Sequence, residues 1–206
     1  MATRQAAGGG RWVEVDPERL PRWLAGFHER NGPSTEQEGL ALHTANQTAT
    51  FVPPPGLSVA SVDELVREGG QPRRIGLLLV RRGGYAVGVA DGTALVSSKV
   101  DSRYVQSRTA AGGWSQQRFA RRRVNQAGAL VQAAADVAAR LLLPASYVSL
   151  VTGGDRRLVD EVLDDPRLGP VRDRRSERFL DVPDPRQAVL EAAVRQARTV
   201  RIHVRD

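Results

Sequence analysis

Apolar residues recur every three or four positions in two long stretches of the chain, and alternate or run together in several short ones. The first pattern predicts helices with one buried face, the second strands. Leu20, Trp23, Leu24 and Phe27 hold the helical spacing. Asp16-Pro17 before them supplies a cap and a first-turn proline, and Asn31-Gly32 supplies a stop. The second stretch, residues 115–143, carries Phe119, Leu130, Val131, Ala134, Val137, Ala138 and Leu141 on one face and ends before Pro144, which cannot continue a helix. Residues 61–67 predict one or two helical turns, residues 156–163 a helix capped by Asp155, and residues 187–197 a last helix.

Strands are expected at residues 12–15 and, weakly alternating, within 40–52, where Pro53-Pro54-Pro55 forbids continuation. Residues 74–80 and 85–90 flank a Gly83-Gly84 turn, and Asp91-Gly92 leads to candidates at 93–98 and 102–108. Residues 147–152, followed by a Gly153-Gly154 turn, and residues 199–204 complete the set. Hairpins first and β-α-β order afterwards predict an α/β fold, an α+β mixed sheet layered with helices. Residues 1–10, small and glycine-rich, read as a flexible tail, and residues 11–206 as a single domain.

Composition narrows the chemistry. With 206 residues, 41% hydrophobic, a core is affordable, and the absence of cysteine removes disulfides, thiolate nucleophiles and cysteine-held metals. No run of 18 apolar residues exists to cross a membrane, and the amino terminus has no apolar stretch of the signal-peptide kind, so the expected compartment is the cytoplasm. His28, His43 and His203 lack metal-ligand spacing, and Asp63, Asp91 and Asp101 form no carboxylate pattern, so neither a metal nor a cofactor is expected. A G-x-S-x-G elbow and the glycine spacing of phosphate loops are also missing.

Charge changes the picture more. The formal net charge is +7, and all basic residues except Lys99 are arginine. Between Asp101 and Asp136 there is no acidic residue, while Arg103, Arg108, Arg118, Arg121, Arg122 and Arg123 all fall there, so nearly the whole excess sits in one stretch. Such a block is the footprint expected of a phosphate-rich partner.

Within it, Gly112-Gly113 allow close backbone approach, polar Ser115-Gln116-Gln117 follow, and a basic helix begins at once. Two readings stand: a solvated strand-to-helix turn with an exposed arginine face, or a helix start that binds phosphate. The segment resembles the loop and helix of the central domain of archaeal and eukaryotic class I release factors, where Gly-Gly-Gln precedes Ser-x-x-Arg-Phe-Ala-Arg. Here Gly112-Gly113 precede Ser115, Arg118, Phe119, Ala120 and Arg121. The chain is more similar still to the Vms-like release factors, especially their actinobacterial type, in which the glutamine follows a Gly-x-x-Gln spacing, here Gly113-Trp114-Ser115-Gln116. Trp114 stands where the tripeptide has glutamine.

The resemblance implies a ribonuclease H-like fold and a codon-independent peptidyl-tRNA hydrolase that frees nascent chains from obstructed large ribosomal subunits. Its implied partners are the large subunit with its peptidyl-tRNA, hence rRNA and tRNA, with no cofactor, no membrane and a monomeric state. Gln116 is the implied catalytic residue, with Gln117 its rival, and Gly112 and Gly113 are the implied hinge. Arg108, Trp114, Ser115, Arg118, Arg121, Arg122 and Arg123 are the implied RNA contacts. The length leaves no room for a codon-reading domain. The alternative is a non-hydrolytic module that only recognises stalled particles.

Overall fold

The structure is a computed structural model that describes the backbone of residues 2–102 and 115–206 and the side chains of residues 3–101 and 127–206. The chain forms two compact units rather than one domain: residues 1–72 with 196–206, and residues 73–195. The carboxyl-terminal strand returns to the first unit, a long-range pairing that no local pattern announces.

The first unit is a six-stranded, wholly antiparallel sheet. Its strands are β1 (Ala2–Gln5), β2 (Arg11–Val15), β3 (Glu36–Glu38), β4 (Ala41–His43), β5 (Thr48–Val52) and β11 (Val200–Arg205), in the order β1-β2-β11-β5-β4-β3. The expected tail is therefore a hairpin strand, with Arg4 opposite Trp12. Backbone groups pair there without any apolar pattern, and the positive φ angles of Gly8, Gly9 and Gly10 turn the chain between β1 and β2. After one 3-10 turn at Pro17–Arg19, α1 (Leu20–Asn31) packs Leu20 and Phe27 onto the sheet, with Trp23 stacked on Phe27 at 5.2 Å and edge-on to Phe51 at 5.8 Å. Helix α2 (Val62–Glu68) starts with a reciprocal cap: the Glu64 amide donates to Ser61 Oγ, and the Glu64 carboxylate accepts from the Ala60 amide.

The second unit is built on five strands: β6 (Arg74–Arg81), β7 (Gly84–Asp91), β8 (Ala94–Ser102), β9 (Ser149–Gly154) and β10 (Arg175–Leu180). Their order is β10-β9-β6-β7-β8. The first three form an antiparallel meander, β9 lies parallel to β6, and β10 parallel to β9. This is the ribonuclease H-like arrangement. Its helices are α3 (Ser115–Leu142), α4 (Arg156–Leu163), the single turn α5 (Gly169–Arg172) and α6 (Gln187–Arg198), whose last residues belong to the first unit. Leu78, Val80, Val87 and Val89 of the sheet share one core with Leu130, Ala134, Ala138 and Leu142 of α3 and Val159 and Val162 of α4.

Two strand expectations change. Residues 93–98 and the start of 102–108 are one strand, β8, because β7 offers it a continuous partner from Asp91 opposite Ala94 to Gly84 opposite Ser102, interrupted by one bulge near Val89. The rest of 102–108 lies outside the described residues. Strand β10 was not expected, since its sequence alternates charge rather than hydrophobicity. Asp155 does cap α4, accepting from the amides of Arg157 and Leu158, and Gly154 before it has a φ of +97°, where a Cβ would run into the Val80 carbonyl.

Candidate functional site

Helix α3 connects the distinctive segment to the core. Among its described side chains, Leu130, Ala134, Val137, Ala138 and Leu142 are buried, whereas Gly128 and Ala129 are exposed. Leu142 sits against Gly76 near the start of β6, so the helix ends where β6 and β9 begin. Its 28 residues span about 42 Å at about 1.5 Å each, while the eight residues of β7 span only about 26 Å. The helix is therefore longer than that strand, and Gln116 and Gln117 lie in its first turn.

A polar anchor holds the buried half. Arg167 Nη2 donates to Asp136 Oδ1 of α3 at 2.7 Å and to Asp165 Oδ2 at 2.7 Å, and Gln132 Nε2 donates to Asp136 Oδ1 at 3.1 Å. Asp165 also accepts from the Arg167 side-chain Nε and backbone amide. The Arg167 guanidinium, and then its amide, hold the Asp165 carboxyl down at about 2, and the same guanidinium lowers Asp136.

The segment leaves the sheet at Ser102, opposite Gly84, beside the turn that joins Arg81 to Gly84. The carboxyl ends of β6, β9 and β10 lie at the same edge. There Arg81 Nη1 donates to the Val182 carbonyl at 2.6 Å, and the Arg156 guanidinium lies 4.0 Å over the Phe179 ring.

The helix start expected at Ser115 is where α3 begins. Gln116, Gln117, Arg118, Arg121, Arg122 and Arg123 lie on its backbone, and their side chains are outside the described ones. Arg108, Gly112, Gly113 and Trp114 lie outside the described residues altogether, so the hinge and the RNA contacts stay expectations. Of the three carboxylates weighed for metal chemistry, the two in the second unit, Asp91 and Asp101, do not converge. Asp63 is on α2 of the first unit, Asp91 is bonded to Arg74 at 2.8 Å at one end of β7, and Asp101 is opposite Tyr85 at the other. Among the described residues no histidine and carboxylate cluster could hold a metal ion. No helix among them is long and apolar enough to cross a membrane.

Comparison with known proteins identifies the family of the chain. The family described as the Actinobacteria/chloroflexi VLRF1 release factor matches residues 73–203. The chain belongs to that family. Membership brings a release-factor-like role in translation, and the match takes in the whole meander, Gly112-Gly113 and α3. No curated protein matches the chain.

Among solved structures, the archaeal translation termination factor aRF1 is 14% identical over 68% of this chain and 39% of its own, with a TM-score of 0.41. Dom34 of S. cerevisiae, a translation termination-like factor involved in RNA quality control pathways and interacting with Hbs1, is 7% identical over 96% of this chain and 69% of its own, with a TM-score of 0.36. Pelota of Archaeoglobus fulgidus is 11% identical over 95% and 65%, at 0.30. This chain thus spans about two fifths of the archaeal factor. At such scores these likenesses add nothing to the strand order, on which the fold assignment rests.

Proposed function

We propose that the chain is a codon-independent peptidyl-tRNA hydrolase that releases nascent chains from obstructed large ribosomal subunits, with Gln116 orienting the attacking water. The observation that carries this reading is the coincidence, in a release-factor family, of the Gly112-Gly113 loop, Gln116 in the first turn of α3, and a stretch free of acids from residue 102 to 135. The bond broken is the ester between the nascent chain and the 3′-terminal adenosine of tRNA. Water adds to its carbonyl carbon, the ribose oxygen leaves with a proton, and a free carboxyl end results.

Glutamine does not titrate near neutral pH, and residues 102–135 hold no histidine or carboxylate, so proton abstraction by this loop is excluded. What the amide does is hold one water in line with the carbonyl and offer its N–H near the developing oxyanion. Oriented proximity is worth roughly 7–11 kcal/mol. The rRNA and the tRNA's own hydroxyl supply the remaining polar surroundings. Gly112 and Gly113 act as the hinge, Arg108, Ser115, Arg118, Arg121, Arg122 and Arg123 meet rRNA and tRNA phosphates, and Trp114 stacks on a base. The protein acts as a cytoplasmic monomer in ribosome-associated quality control.

The test is release from purified large subunits carrying peptidyl-tRNA. Gln116→Ala abolishes release and leaves subunit binding intact, while Gln117→Ala releases normally. Loss confined to Gln117→Ala moves the role by one residue, and full release by both variants ends the assignment. A second reading, a module that binds stalled particles without hydrolysis, is favoured by Trp114 in the tripeptide's glutamine position. It predicts salt-sensitive binding to large subunits and no release at any protein concentration.

A further inference from the structure

The six-stranded sheet of the first unit buries one face under α1 and α2, where Val13, Phe51 and Ile202 lie. Its other face has a different character. Directly opposed residues of an antiparallel pair share a face, so the register of Arg4 with Trp12, Trp12 with His203 and His203 with Thr50 makes one row across four strands. Arg201 and Arg205 flank that row on β11, about 13 Å apart at about 3.3 Å per residue. Trp12 stacks on His203 with ring centroids 4.7 Å apart and planes 20° from parallel, and the Arg201 guanidinium lies 4.4 Å over the same indole. A hydrogen bond from His203 Nε2 to the Gly9 carbonyl at 3.1 Å fixes the imidazole in this stack.

The charge on this face is uncommitted. Among the described residues none of Arg4, Arg201 and Arg205 forms an ion pair. The carboxylates on the face are Glu14, opposite Arg201 without an ion pair to it, and Glu36 and Glu38 on the outermost strand β3. Cations therefore gather over β1, β2 and β11, around the aromatic group.

We propose that this face binds an unpaired RNA strand, with bases stacking on the group formed by Trp12, His203 and Arg201 and phosphates taken by Arg4 and Arg205. Planar aromatic and guanidinium surfaces on an open sheet suit bases splayed out of a helix, and the free arginines complement the backbone between them. A duplex keeps its bases stacked internally and would use the arginines alone. An acidic peptide would use the charges but not the rings. The proposal adds an RNA-binding surface in the unit that does not carry Gln116, and it does not depend on hydrolysis.

The test is binding of a short labelled oligoadenylate to the full chain carrying Arg121→Ala, Arg122→Ala and Arg123→Ala, so that the basic helix does not mask the sheet. Adding Arg4→Ala, Arg201→Ala and Arg205→Ala weakens binding about tenfold or more and lowers the slope of log affinity against log salt by about 1.4, at about 0.7 for each of the two phosphates that Arg4 and Arg205 no longer neutralise. Thr50→Asp, which puts a negative charge on the face without touching the stack, gives a similar loss in a variant whose melting temperature matches its background. Arg22→Ala, on α1 across the sheet, changes nothing. Unchanged affinity in the triple arginine addition and in Thr50→Asp overturns the proposal. Equal affinity for duplex RNA, or displacement by polyglutamate at matched charge, overturns it in favour of a general anion surface. Peptide release is not read in this assay, so its outcome and that of the Gln116 experiment are independent.

Discussion

The two ends of α3 obey different rules. From Leu130 to Leu142 the helix is small and apolar on its inner face, is packed against β7 and α4, and is pinned by the bond between Asp136 and Arg167. From Ser115 to Gln126 its sequence carries four arginines and three glutamines and no acid, on a helix of 28 residues. The composition of the amino-terminal half is what the proposed function asks of a surface that meets a polyanion.

Substitutions in the two halves should therefore separate stability from binding. The largest effect is expected from Leu142→Ala, which empties a fully buried site and should cost roughly 2–5 kcal/mol in urea unfolding. Arg121→Ala, Arg122→Ala and Arg123→Ala together should change stability by less than about 0.5 kcal/mol. Comparable losses in both would erase the distinction. The next effect is on affinity: the same three arginine substitutions should lower the salt slope of large-subunit binding by roughly 2–3, at about 0.7–0.9 for each phosphate left without its arginine. A slope that stays the same would mean that these arginines are merely solvated.

A smaller effect is expected beneath the anchored half. Thr152 on β9 is fully buried, and its hydroxyl has no hydrogen-bond partner among the described residues. Thr152→Val should raise stability by about 1 kcal/mol, by removing a desolvated hydroxyl. A loss of stability would show that the hydroxyl is satisfied.

The smallest effect concerns the pin itself. Because Arg167 holds the Asp165 carboxyl at about 2, this group contributes stability that is fully present above the ordinary aspartate range and is lost as pH falls through about 2. In Arg167→Ala its titration, followed by carboxyl NMR, should rise toward the usual aspartate value of about 3.9, short of it because the backbone amide of residue 167 still donates, and the acid-side loss of stability due to this carboxyl should shrink. A titration that does not move would assign the lowering to another group.

Much of this division was legible in the sequence. The 3.6-residue period of Leu130, Val131, Ala134, Val137, Ala138 and Leu141 marks the packed half, and the missing acids mark the other. The apolar runs of β6, β7 and β9 are strands buried on both faces, and Asp155 is a cap by residue type alone. What escaped was non-local. Strand β11 enters the first sheet between β2 and β5, far from both in sequence, which turns one expected domain into two units. Strand β1 is held by backbone pairing, and β10, reading Arg-Ser-Glu-Arg-Phe-Leu, is an edge strand whose charges hide its alternation. The stack of Trp12, His203 and Arg201 was likewise invisible, since its members meet only through the register of β2 with β11. For the glycine loop the sequence carries the whole case, through residue order rather than side-chain geometry.

The central claim, that a neutral amide hydrolyses an ester because RNA supplies the reactive surroundings, is tested most directly by single-turnover release from peptidyl-tRNA presented on purified large subunits and free in solution. The account predicts rapid release on the subunit and none above the uncatalysed rate from free peptidyl-tRNA. Equal rates on the two substrates would contradict it.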